Sequence, residues 1–250
     1  MTAVDMLILL IGGLLAGVIN SMAGGGSLLS VPLLALAGVG GTLANGTNRV
    51  AVLIQNLTGA YGFARRNVGD RAKTIQVLIP AVVGGLLGSL VASRIPDEVF
   101  ERLFGFLMLP LLALTIWKPK PDTDKPPWPL WLSSLIFLVV GFYAGAVQAG
   151  VGLIILLVLS RAGFDLVTAN AMKTVIILAI TAMAVPVFIY NDQVRWLPAL
   201  VLSLGMGVGG YVGANVAIDG GERVIRPVMV VVVLALASRM LGLWELVGIG

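Results

Sequence analysis

The sequence predicts an all-α, polytopic helical membrane protein built from two homologous halves, each opening with a glycine-broken helix or helical hairpin. Three observations carry this expectation. The chain of 250 residues is 58% apolar and 11% charged, with a mean hydropathy of +1.03, whereas a soluble domain is typically about a quarter charged. From Met6 to Gly41 no charged residue occurs, a run well beyond the about 20 residues that cross a ~30 Å hydrocarbon core as a helix. That run is interrupted by Asn20-Ser21-Met22-Ala23-Gly24-Gly25-Gly26-Ser27, and a related break recurs around Gln148 and Gly152. Broken elements at matching places in two halves point to a binding site between those halves.

Taken in order, a broken element at about 5–38 is followed by apolar segments at about 43–64, 74–93 and 99–117. A second broken element at about 131–160 precedes segments at about 167–189, 196–217 and 224–244. Each unbroken segment is long enough to span. The polar stretch between the halves carries Pro119, Pro121, Pro126, Pro127 and Pro129 and reads as a linker. The expected organisation is therefore a first membrane repeat over 1–117, a Pro-rich linker over 118–130 and a second membrane repeat over 131–250. The halves overlay with Asn20 on Gln148 and Gly24 on Gly152, at an offset of 128. Asn45 on Asn170, and Gly84-Gly85-Leu86-Leu87-Gly88 on Gly209-Gly210-Tyr211-Val212-Gly213, follow at an offset of 125. The same order of small residues favours duplication over chance. Gly84-x-x-x-Gly88 and Gly209-x-x-x-Gly213 read as helix-packing surfaces, and Trp117, Trp128, Trp131 and Trp196 as interfacial anchors.

Several classes of chemistry are closed off. The chain has no cysteine and no histidine, which removes disulfides, thiolate nucleophiles, the commonest general base and the commonest metal ligand. An enzyme is not expected, nor a cofactor or metal. Residues 1–5 lack the positive n-region of a signal peptide, so the first apolar run reads as part of the mature protein. A net charge of +4 would point to nucleic acid in a soluble chain; here it reflects cytoplasmic loops obeying the positive-inside rule, and nucleic acid is not an expected partner. If each broken element returns to its starting side, ten Lys and Arg gather in the cytoplasm, among them Arg65, Arg66, Arg71, Lys73 and those of the linker, against four outside. If each crosses once the split is nine to five. The rule thus favours inverted repeats, and either count puts the Arg65-Arg66 loop and the linker in the cytoplasm of a cell with a bacterial-type inner membrane.

Two residues stand out as carriers of chemistry. Arg49 is the single charged residue between Gly41 and Phe63, and Lys173 the single one between Val167 and Tyr190. A charge inside a membrane helix costs at least about 2.5–3.5 kcal/mol, so it should face a protein interior and have a partner. No Asp or Glu lies within the central apolar segments, which points to an anionic ligand as the missing counter-ion. Asn45, Asn48 and Asn56 share the helical face of Arg49, Asn170 accompanies Lys173, and Thr47, Thr174 and Thr181 add hydroxyls. A half-helix beginning at the break would present free N–H groups to an anion, with Gly24, Gly25 and Gly26 permitting close approach and Ser21 and Ser27 adding hydroxyls. The competing reading is that both cations snorkel to lipid headgroups, which would make the protein a non-transporting scaffold.

The run Gly17-Val18-Ile19-Asn20-Ser21-Met22-Ala23-Gly24-Gly25-Gly26-Ser27, then Pro32, then Ala44-Asn45-Gly46-Thr47-Asn48-Arg49, resembles the TauE/SafE family of sulfite exporters and related anion permeases. Gly141-Phe142-Tyr143-Ala144-Gly145 and Met172-Lys173 extend the likeness into the second half. The chain departs from the family pattern at Ala144, where relatives often carry an acidic residue, and at Gln148, where they often carry glycine. The resemblance implies export or permeation of sulfite, an organosulfonate or a similar oxyanion. The expected site comprises Arg49, Lys173, Asn48, Thr47, Asn20, Ser21, Gly24, Gly25, Gly26, Gln148, Asn56 and Asn170. Arg49 would grip two oxygens and Lys173 would act as a point charge in one chamber near the midplane. Membrane lipids are expected partners, and assembly with further copies of the chain is left open.

Overall fold

The structure is a computed structural model that describes residues 1–116 and 128–219. The expected span at 224–244 and most of the linker lie outside the described residues. The described residues form helices and no strands: α1 (Ala3–Ala23), α2 (Ser27–Leu36), α3 (Gly41–Arg65), α4 (Arg71–Ala92), α5 (Asp97–Ile116), α6 (Leu130–Ala146), α7 (Val151–Arg161), α8 (Leu166–Tyr190) and α9 (Trp196–Ile218). Each unbroken segment expected within that range is one helix, and each broken element is two. Local chemistry sets the boundaries. Thr2 and Asp5 form a reciprocal capping box at α1, and the Asp70 and Asp165 carboxylates accept the free N–H groups that open α4 and α8. Gly24 ends α1 in the left-handed region (φ 82°), its N–H reaching back to the Asn20 and Ile19 carbonyls.

The first broken element is a hairpin. Gly26 lies against the Ala16 carbonyl and Asn20, and Gly12 against the Leu33 side chain, so α2 folds back along α1. With 10 residues, α2 is about 15 Å long and covers half of the hydrocarbon core, whereas the 21 residues of α1 suffice to cross it.

Packing is inside-out relative to a soluble protein. The large apolar residues Ile75, Ile79, Val83 and Leu87 of α4, and Leu197, Leu200, Leu204 and Val208 of α9, are exposed along one face of each helix. These faces meet lipid. Glycines face inward and bring backbones into contact: Gly17 lies on the Met206 carbonyl and Gly209 on that of Leu14 between α1 and α9, while Gly145 lies on the Gly85 carbonyl and Gly88 on that of Phe142 between α4 and α6.

These contacts are reciprocal between the halves, and they correct the overlay read from sequence. The left-handed positions Gly24 and Gln148 (φ 62°) are equivalent, as are the first residues of α2 and α7, Ser27 and Val151. In the first broken element the offset is thus 124, one helical turn short of the expected 128. Asn20 corresponds to Ala144 and Ser21 to Gly145. Beyond the breaks the offset of 125 holds, since Gly85 packs on Ile180 as Gly210 packs on Gln55. The equivalent helices α3 and α8 cross antiparallel: Arg49 lies over the Phe188 ring, and Gly59 beside Thr174.

A Cβ at Gly145 would approach the Gly85 carbonyl to 1.9 Å, whereas Gly105 has nothing within 4 Å. Gly145→Val is expected to destabilise the protein by about 1–3 kcal/mol or more, and Gly105→Ala to stay within about 0.5 kcal/mol of the parent. Thermal unfolding in detergent, followed by size-exclusion homogeneity, checks both.

Candidate functional site

A polar seam runs along the crossing of α3 and α8. Asn45, Thr47, Asn48, Arg49, Gln55 and Asn56 of α3, with Asn170, Lys173, Thr174 and Thr181 of α8, are all buried. Buried polar groups require partners, and the two half-helix ends supply them. Arg49 donates through Nη1 to the Ala144 carbonyl (3.1 Å) and through Nη2 to that of Gly145, with its guanidinium 4.6 Å from the Phe188 ring centroid. Lys173 Nζ donates to the carbonyls of Asn20 (2.7 Å) and Ser21 (3.3 Å) and to Asn170 Oδ1 (2.7 Å). Asn45 Nδ2 donates to the Ala146 carbonyl and Asn170 Nδ2 to that of Met22. Each cation therefore caps the C-terminus of the first helix of the opposite half, where the last-turn carbonyls and the negative end of the helix dipole stand in for a carboxylate.

Two expectations change. Both cations are 0% exposed, so neither snorkels to a headgroup, and the scaffold reading loses its anchor. Nor do they meet in one chamber. Arg49 is level with Phe188, fifteen positions from Lys173 on α8, which at the helical rise separates the two by roughly 22 Å along the seam. Between them lies a hydrogen-bonded layer. Asn20 Nδ2 and Asn56 Nδ2 donate to Gln55 Oε1 (2.6 and 3.0 Å), Gln55 Nε2 donates to Ser21 Oγ (2.8 Å), and Gln148 Nε2 donates to Thr181 Oγ1 (3.2 Å). Gln55 is the centre of this layer and was not among the residues expected from sequence, because the face drawn through Arg49 leaves it out.

The glycine break is also more closed than expected. The Gly24 N–H is used in ending α1, and the Gly24 backbone lies against that of Gly152, so the two breaks interlock. Ser27 Oγ ties them further, donating to the Gln148 carbonyl and accepting the Gly150 N–H. The N–H groups of Gly25 and Gly26 have no hydrogen-bond partner among the described residues. Ser21 Oγ donates to the Gly210 carbonyl, and Ser30 Oγ to Asn48 Oδ1. Among the described residues, Arg49 Nε, Asn45 Oδ1, Asn48 Nδ2, Asn56 Oδ1 and Gln148 Oε1 are buried without partners.

The loops flanking the seam differ although their positions are equivalent, with Asn67 (φ 53°) matching Asp192 (φ 56°). The α8–α9 loop is latched: the Gln193 carbonyl presses on Gly46, the Arg195 N–H donates to Thr47 Oγ1 (3.0 Å), and Gln193 Nε2 donates to the Ser93 carbonyl (3.0 Å). Thr47 is thereby engaged at the latch. The equivalent residues on the other side, Val68, Asp70, Ala171 and Met172, line a cavity of about 440 Å³ beneath the α3–α4 loop. A smaller cavity of about 200 Å³ lies between α2, α3 and α5. Neither cavity is lined by Arg49 or Lys173.

Residues 9–240 match the family model described as sulfite exporter TauE/SafE. The chain belongs to this family. TauE/SafE relatives include a protein named probable membrane transporter protein ORF9 from Sinorhizobium sp., 28% identical over 93% of this chain and 91% of the relative. A probable membrane transporter protein of Haemophilus influenzae is 28% identical over 95% of both chains. The probable membrane transporter protein YfcA of Escherichia coli is 25% identical over 91% of this chain and 86% of its own. A multi-pass membrane protein of a transporter family agrees with the four helices among the described residues that are long and apolar enough to cross, α1, α4, α8 and α9.

Because Lys173 holds three acceptors at the end of α1, Lys173→Met is expected to lower stability by about 3 kcal/mol with or without oxyanion present. Differential scanning fluorimetry in detergent reads this directly.

Proposed function

We propose that this protein moves a small oxyanion, of the sulfite or organosulfonate class, across the bacterial inner membrane by alternating access between two inverted halves. The observation that carries the reading is the Arg49 guanidinium. It is fully buried, it is held by two carbonyls of α6, and its Nε still lacks an acceptor. No Asp or Glu occurs in α2, α3, α6, α7, α8 or α9, so among the described residues these helices offer Nε no charged acceptor, and the reading assigns that role to the ligand. Lys173 adds a second buried positive charge farther along the same seam. It acts by field, because three acceptors already surround its ammonium.

The antiparallel crossing of the equivalent helices α3 and α8 supports inverted repeats. The loops support alternating access: one is latched on Gly46 and Thr47 while its counterpart leaves a cavity against Ala171 and Met172. Exchanging the two loop arrangements would close the cavity side and open the latch side, the rocking that repeat symmetry allows. With the Arg65-Arg66 loop in the cytoplasm, the cavity faces inward and Arg49 lies toward the outer side. An inside-negative potential favours anion exit by about 2.3 kcal/mol per charge per 100 mV, so export needs no coupled ion, and no histidine or central carboxylate is present for a proton relay.

In proteoliposomes loaded with the monodisperse, folded fraction of each variant, Arg49→Ala is expected to abolish sulfite flux; flux equal to the parent would remove the assignment. The chain has no cysteine, so a single introduced thiol is the only target for a membrane-impermeant maleimide. Val175→Cys, partly exposed on the wall of the cavity beneath the α3–α4 loop, should label readily and the buried Thr47→Cys slowly, with the two rates shifting in opposite directions when substrate is added. Rates that do not respond in this reciprocal way would refute alternating access.

A further inference from the structure

We infer that Asn45 and Arg49 together select an oxyanion that still carries an acidic hydrogen, narrowing the substrate class of the site proposed above, on which this inference rests. The two residues stand one turn apart on α3 and are both anchored on the same end of α6, at the consecutive carbonyls of Ala144, Gly145 and Ala146. Each keeps one buried polar atom unpaired among the described residues, Nε of Arg49 and Oδ1 of Asn45. The chemistry of these atoms is fixed. A guanidinium only donates, and Asn45 must direct its NH₂ at the Ala146 carbonyl, which leaves Oδ1 as an acceptor.

The second half shows what a closed version of this pair looks like. There Asn170 makes the equivalent bond to the Met22 carbonyl, but its Oδ1 accepts from Lys173 Nζ one turn on. In the first half the cation is four positions from the amide instead of three, and its terminal N–H groups reach the α6 carbonyls and leave Oδ1 open. One half therefore satisfies itself, and the other leaves a donor and an acceptor unmet on residues one turn apart on α3.

A ligand that completes this pair must accept from Nε and donate to Oδ1. A fully deprotonated dianion, or a sulfonate, has acceptors alone and would set an oxygen lone pair against Oδ1. A hydrogen oxyanion such as hydrogen sulfite places O⁻ on Nε and its O–H on Oδ1. Among the described residues α2, α3, α6, α7, α8 and α9 hold no carboxylate. α5, which packs on α3, carries Asp97, Glu98 and Glu101, with Asp97 engaged by the Thr42 N–H and hydroxyl and Glu101 beside Gly40 at the start of α3. Asp192 and Arg195 belong to the loop latched on Gly46 and Thr47, the Tyr143 hydroxyl donates to the Ala149 carbonyl, and Lys173 lies at the far end of the seam. Discrimination by protonation state thus belongs to the ligand.

The test is a thermal-shift titration of the purified full chain in detergent with sulfite on the acid and alkaline sides of its second ionisation, and with methanesulfonate, a monoanion without an acidic hydrogen. Hydrogen sulfite should bind roughly tenfold or more tightly than methanesulfonate, the loss expected when a buried acceptor is left unmet. Asn45→Leu should bring the two affinities together. Equal affinities in the parent protein, the result if Oδ1 is met by water, would overturn the inference, as would a preference that survives Asn45→Leu. If that variant does not fold, the comparison in the parent protein decides alone. Binding without discrimination defeats only this inference, whereas no binding of either anion defeats the oxyanion site itself.

Discussion

The constraint that organises the molecule is that two helices end in its buried interior, where a carbonyl left without a partner has no water to turn to. α1 stops at Ala23 and α6 at Ala146, and the last turns of both are met by a cation and an amide from the other half: Lys173 and Asn170 at one, Arg49 and Asn45 at the other. The charge that would be intolerable alone and the helix ends that would be intolerable alone stabilise each other. The rest follows from that exchange. α3 and α8 must cross at the centre, the breaks must touch through Gly24 and Gly152, and the long arms α1 and α6 must pack on α9 and α4 through glycine.

Much of this was legible in the sequence. The absence of charge from Met6 to Gly41 fixed the membrane class, the glycine cluster fixed the break, and the isolated Arg49 and Lys173 marked the seam. The counter-charge was not legible, because a search for carboxylates cannot see backbone carbonyls whose exposure depends on where a helix stops. The repeat register slipped by one turn for a related reason. Asn20 and Gln148 look alike as side chains, whereas the structure equates Gly24 with Gln148 by their shared left-handed backbone. Only Gly24 has the residue type that announces such a conformation.

The two halves are alike in backbone and unlike in chemistry. Thr47 accepts the Arg195 N–H where the equivalent Met172 offers no hydroxyl, and Gln55, which gathers the Asn20 and Asn56 amides, matches the apolar Ile180. The matching backbones give the seam a near-symmetric frame, and differences at a few inward positions give each of its ends its own character.

The reach of Arg49 to carbonyls 95 and 96 positions later in the chain has a consequence for biogenesis. At the ribosome's pace those acceptors emerge roughly 5–20 s after the arginine itself. During that interval the nascent first repeat carries an unmatched guanidinium on a helix of low hydropathy, so it depends on the insertion machinery or on transient lipid and water contacts for shelter. Until both halves are present, Arg49 and the end of α1 each lack the partner that the other half brings.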